Sequence, residues 1–70
     1  MNTYTTDKYF EYCKDGNIAA VYYCIVVKKV NPEKVNYYDG KNKNAFIYAC
    51  ENKRVETLKM MIDVFQVTSE

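Results

Sequence analysis

Turn signals divide this chain into four short apolar stretches, and the brevity of two links constrains the fold more than anything else. Gly16-Asn17 makes one break, Asn31-Pro32 a second, Asp39-Gly40 with Asn42 a third, and Asn52-Lys53-Arg54 a weaker fourth. Helices joined by only one to three residues must lie antiparallel as neighbours. The expected order is therefore helix, turn, helix, a connector over 31–43, then helix, turn, helix.

The first stretch, Thr5 to Asp15, has Thr6 or Asp7 as candidate cap and Tyr9, Phe10 and Cys13 at helical spacing. Gly16 ends it, because glycine adopts the left-handed conformation at low cost. The second, Asn17 to Val30, places Ile18, Val21, Tyr22 and Ile25 on one helical face, with Asn17 as cap. Tyr22 to Val27 would also suit a buried strand. Its length, its cap and Lys28-Lys29 at its end favour helix, and Pro32 forbids continuation. The third stretch, Asn44 to Asn52, is capped by Asn44 and groups Ala45, Phe46, Ala49 and Cys50. The fourth, about Arg54 to Gln66, carries the cleanest amphipathic stripe: Val55, Leu58, Met61, Ile62 and Phe65. Val67 to Glu70 is expected to fray.

Composition removes several function classes. Seventy residues make one small domain, too small for a large enclosed active site. Ten basic and nine acidic side chains leave a net charge of +1, which argues against nucleic-acid binding. The longest apolar run, Ile18 to Val27, is ten residues, and a membrane span needs about 20. The start of the chain lacks the pattern of an export signal. The odd set Cys13, Cys24 and Cys50 then reads as reduced thiols in an intracellular, cytoplasmic protein. The cysteine gaps and the absence of histidine speak against structural zinc. They also deprive a nucleophilic cysteine of its usual base, and no glycine-rich phosphate loop exists. No enzyme and no cofactor are expected.

Shifting the chain by 37 residues lays Cys13-Lys14-Asp15-Gly16-Asn17-Ile18 over Cys50-Glu51-Asn52-Lys53-Arg54-Val55, and Val21, Cys24 and Ile25 over Leu58, Met61 and Ile62. The agreement is in residue class and period. Such a period marks stacked units that cannot bury their apolar faces alone. Cys13 and Cys50, at equivalent positions, are expected to be two small buried hydrophobes.

The run Val35-Asn36-Tyr37-Tyr38-Asp39-Gly40-Lys41-Asn42-Lys43-Asn44-Ala45-Phe46-Ile47-Tyr48-Ala49-Cys50-Glu51-Asn52 resembles the hairpin and first helix of an ankyrin repeat, without a gap. Asn42 stands at the family's glycine, and asparagine is the next-best residue for positive φ. Asn44-Ala45-Phe46-Ile47 replaces the family's Thr-Pro-Leu-His turn, so part of that turn's hydrogen bonding is missing. Ala49-Cys50 matches the small pair, and Val55, Leu58, Met60, Met61 and Ile62 match the second helix. The first unit resembles the family more loosely, through Asp15-Gly16-Asn17, Ile18, Val21, Tyr23 and Cys24, with Asn31-Pro32-Glu33-Lys34 as an insertion.

The resemblance implies an all-α fold of two stacked helix-turn-helix units joined by a hairpin-like loop. One ankyrin-like domain would span 1–70: unit one about 5–30, connector 31–43, unit two about 44–66. It implies a protein–protein interaction scaffold that touches its partner through Tyr37, Tyr38 and Asp39 at the tip, with Lys41 and Lys43 beside them. Tyr48 and Glu51, with Glu11 and Lys14 in the first unit, would lie on the inner helical surface. Exposed tyrosines are stiff, amphipathic anchors. Two units are few for a self-sufficient stack, so self-association or docking onto a partner protein is expected. The competing reading is a small helical subunit forming an obligate oligomer, with no ankyrin relationship. An extended 31–43 segment with exposed tyrosines favours the scaffold, and a compact loop with buried rings favours the subunit.

Overall fold

Gly16 sets the first corner of the molecule, which a computed structural model describes over residues 4–68. Its φ of 73° is left-handed, and the Asn17 N–H reaches back 3.0 Å to the Tyr12 carbonyl, closing α1 (Tyr9–Asp15). Asn17 then caps α2 (Ile18–Tyr22), its Oδ1 accepting the Ala20 N–H. The second corner repeats the first 37 residues on. Lys53 is left-handed at φ 57°, and the Arg54 N–H bonds the Ala49 carbonyl at 2.8 Å, closing α3 (Ala45–Glu51) before α4 (Val55–Thr68). Val21 N–H to Asn17 and Leu58 N–H to Arg54, both 3.0 Å, complete the match.

Between the corners the expected helices form, with corrections at their edges. Neither Thr6 nor Asp7 caps the first helix; α1 is preceded by a 3₁₀ turn, Thr6–Lys8, and no side chain bonds its first amides. The second stretch is helical, not strand, but α2 passes into a π-helical turn, Tyr23–Val27, and stops before Val30. Three consecutive β-branched residues, Ile25-Val26-Val27, crowd an α-helical turn and suit this wider one. Lys29, at φ 62°, turns the chain away. The α4 helix runs through Thr68, into the expected tail; Ser69 and Glu70 lie outside the described residues.

The fold is mostly helical, broadly the all-α class expected, with one small two-stranded β-hairpin in the connector. Strand β1 (Val35–Asn36) pairs antiparallel with β2 (Lys43–Asn44), Val35 opposite Asn44 and Asn36 opposite Lys43. Asn42 has positive φ, 55°, as its position in the hairpin required. Asn44 ends β2 and caps α3 at once, its Oδ1 accepting the Ile47 N–H at 3.0 Å.

Packing joins α1 to α2 and α3, and α4 to α3 and α2. The two first helices are therefore neighbours, as are the two second helices. Arg54, just past the end of α3, donates its Nε–H to the carbonyl of Lys14 at the end of α1. The C-terminal ends of α1 and α3 thus lie together, and the two pairs face the same way. The core between them holds Tyr9, Cys13, Val21, Cys24, Ile25, Ala45, Tyr48, Ala49 and Met61, with Thr57 also buried. Two expectations fail here. Cys50 is exposed although Cys13 is buried, and Val55 and Ile62 of the α4 stripe remain largely in solvent.

Candidate functional site

The hairpin tip is built by short side chains bonding their own backbone. The Asn36 Oδ1 accepts the Tyr38 N–H at 3.0 Å, and the Asp39 Oδ1 accepts the Lys41 N–H at 2.9 Å. These local bonds turn the chain so that Tyr37 is 73% and Tyr38 100% exposed. Gly40, at φ 73°, completes the bend in open space.

Tyr48 fastens this tip to the helices. Its hydroxyl accepts a hydrogen bond from Asn36 Nδ2 at 3.2 Å and donates one to Asp39 Oδ2. Its ring packs edge-on to Phe10, with Lys14 Nζ 4.8 Å above its centroid. Tyr48 is therefore buried, not a partner-facing residue of the inner surface as its position suggested. The hydrogen bond from Tyr48, with a second from the Lys41 amide, holds the Asp39 carboxyl below its usual range. Burial, and then that bond to Asp39, pushes the Tyr48 hydroxyl up.

Lys43 and Glu51 correct a second expectation. Lys43 Nζ sits 2.8 and 2.7 Å from the two Glu51 oxygens, so Lys43 is a paired charge rather than a free basic spot. Lys41 remains exposed beside the tip. Below the tip, a cleft of about 470 Å³ opens between hairpin and first helix; Phe10, Glu11 and Lys14 line one wall, and Asn36 and Tyr38 the other. The structure thus gathers Tyr38, Glu11 and Lys14 around one cleft, leaves Tyr37 and Lys41 outside its lining, and pairs Lys43 of β2 with Glu51 of α3. Sequence reasoning missed Phe10 and Asn36. Asn36 carried a signal, an Asx residue two before the tip amide it caps.

Two of the three thiols, Cys13 and Cys24, are buried, and Cys50 is exposed. Burial pushes Cys13 up to about 12, and burial also raises Cys24, so both are protonated at neutral pH. The neighbouring Tyr9 hydroxyl is buried beside the Cys13 thiol, and burial drives its ionisation far above the usual phenol range. Among the described residues no acidic, cysteine or histidine cluster could hold a metal ion, and no helix is long and apolar enough to cross a membrane. Comparison of the chain with protein-family models, with curated proteins and with solved structures finds no match.

Proposed function

We propose that this chain is a non-catalytic protein–protein interaction scaffold of the ankyrin-repeat type, its two helix pairs stacked side by side. It works in the cytoplasm without a cofactor. It presents Tyr37 and Tyr38, with Lys41 beside them, to another protein whose chain enters the cleft beneath Tyr38. The observation that carries this reading is the pairing of full exposure with fixed position. Tyr38 is wholly in solvent, yet Asn36 and Asp39, which shape its turn, are both tied to the buried Tyr48 hydroxyl. A backbone turn already held in place loses less conformational freedom on binding than a free loop. The same-facing helix pairs and the positive φ of Asn42 support the ankyrin-like register. The exposed, extended tip favours the scaffold over a subunit that buries its tyrosines in a bundle.

The test is affinity capture with the intact chain, Tyr37→Ala/Tyr38→Ala and Tyr48→Phe, with partners quantified against unchanged melting of the first variant. The alanine pair loses the specific partner, and Tyr48→Phe weakens it by loosening the tip. Retention of the same partner at wild-type yield by the alanine pair overturns the proposal.

A further inference from the structure

An aspartate followed by glycine occurs twice in this chain, at Asp15-Gly16 and at Asp39-Gly40. Such a pair has a chemistry of its own. The glycine nitrogen attacks the aspartate Cγ and forms an N–Cγ bond. The carboxyl hydroxyl leaves with the amide proton as water, and the product is a cyclic succinimide. Water then opens the ring. Breaking the bond from nitrogen to Cγ restores aspartate. Breaking the bond from nitrogen to the main-chain carbonyl carbon leaves isoaspartate, with the side-chain methylene inserted into the backbone. Only water leaves and enters. The first step needs a neutral carboxylic acid, because a carboxylate is a poor electrophile, and an amide free to swing onto Cγ. Glycine meets the second condition most easily, having no Cβ.

The fold withholds a different half of the reacting pair at each place. At Asp15 the amide is held: Asp15 ends α1, and the Gly16 N–H bonds the Tyr12 carbonyl. The Asp15 carboxyl is exposed and takes no hydrogen bond among the described residues. At Asp39 the arrangement is reversed. The Gly40 N–H bonds nothing among the described residues, and the space around its α-carbon is open. Here the carboxyl is the held half. Its Oδ1 accepts the Lys41 N–H at 2.9 Å, and its Oδ2 accepts the Tyr48 hydroxyl. Both oxygens act as acceptors, which favours the anion, and the Lys14 and Lys41 charges act in the same sense.

We propose that Asp39-Gly40 is a latent isomerisation site, and that Tyr48 is the positioning residue that keeps it closed. The Gly40 amide needs no release, so the state of one carboxyl decides the reaction. The bond from Lys41 is local and moves with the tip. The bond from Tyr48 is anchored elsewhere, in a buried residue of α3 whose hydroxyl also accepts Asn36 from the other side of the turn. Without that hydroxyl the carboxyl is freer to take a proton and the turn freer to close on Cγ. Isoaspartate at residue 39 would lengthen the turn by one methylene and displace the carboxylate from both donors. The inference concerns this one peptide bond and holds whether or not the tip meets a partner.

Peptide mapping with electron-transfer fragmentation, which distinguishes isoaspartate from aspartate, tests this on the intact chain. Folded wild type, folded Tyr48→Phe and wild type unfolded in guanidinium chloride are aged side by side at neutral pH. The unfolded chain supplies the rate with neither half held, and residue 15 in every digest is the internal control. Residue 39 converts more slowly in folded wild type than in the unfolded chain. In Tyr48→Phe it converts about threefold faster or more than in folded wild type, as loss of one hydrogen bond of ordinary net strength implies. Residue 15 stays slow in both folded proteins, because the α1 amide is still held. Asn36→Ala, which takes the second partner from the same hydroxyl, accelerates residue 39 by less, and it decides the matter should circular dichroism show that Tyr48→Phe does not fold. Unchanged conversion at residue 39 in the folded variants, acceleration shared equally by residue 15, or equal rates at residue 39 in folded and unfolded wild type overturns the proposal.

Discussion

The two helix pairs are built around the same corner and finished in opposite ways. Gly16 and Lys53 hold the same left-handed conformation, and Asn17 and Arg54 reach back over the same span. Yet Cys13 is buried and Cys50 exposed, Ile25 buried and Ile62 open. Residues equivalent under the 37-residue shift thus have different fates. Local geometry follows the residues of the turn, whereas burial follows what lies beyond the helix.

The sharpest test of that contrast compares the two isoleucines. Ile25→Ala leaves a cavity in the core and costs about 2–5 kcal/mol. Ile62→Ala, measured by chemical denaturation at low protein concentration, costs under about 1 kcal/mol, because much of that side chain is already solvated. Equal losses would show that the second pair's end is covered within the monomer.

The thiols extend the contrast to pH. Burial on folding pushes the Cys13 thiol up from its ordinary range to about 12. Its contribution is fully present below the unfolded value and is lost as pH rises towards the folded one. Each unit in that window costs about 1.4 kcal/mol per proton linked. Cys13→Ala flattens the alkaline decline in stability, read by denaturant melts between about pH 8 and 11. An equally steep decline without the Cys13 thiol would contradict burial as its cause.

The smallest effects come from the corners, with opposite signs at equivalent places. Gly16→Ala costs about 1–2 kcal/mol, because φ is positive there and a Cβ would lie 2.8 Å from Arg54 Cδ. Lys53→Gly relieves the same strain and gains about 0.5 kcal/mol, net of glycine's greater freedom when unfolded. Asn42→Gly, in the same conformation, is neutral or gains a few tenths of a kcal/mol by denaturant melt. Loss of stability in either glycine variant would mean the corners are not held as described.

These contrasts also mark what could be read from the residues alone. Gly16, Asn17, Asn42 and Asn44 announced their turns and caps because a left-handed φ, or an amide within reach of an Asx oxygen, depends on a few adjacent atoms. The hairpin site was legible in the same degree: the Tyr37-Tyr38-Asp39 tip stood out, and both rings are exposed. Tyr48 was misread as partner-facing because helical spacing does not reveal that Phe10 and Lys14 cover its ring or that its hydroxyl reaches Asn36 and Asp39. Thr57 escaped notice in the core for a similar reason, being polar by type but buried by position. The sequence by itself determined where this chain turns, because turning is steric and local. Only the tertiary structure decided which faces are covered, because coverage is set by contacts between residues far apart along the chain.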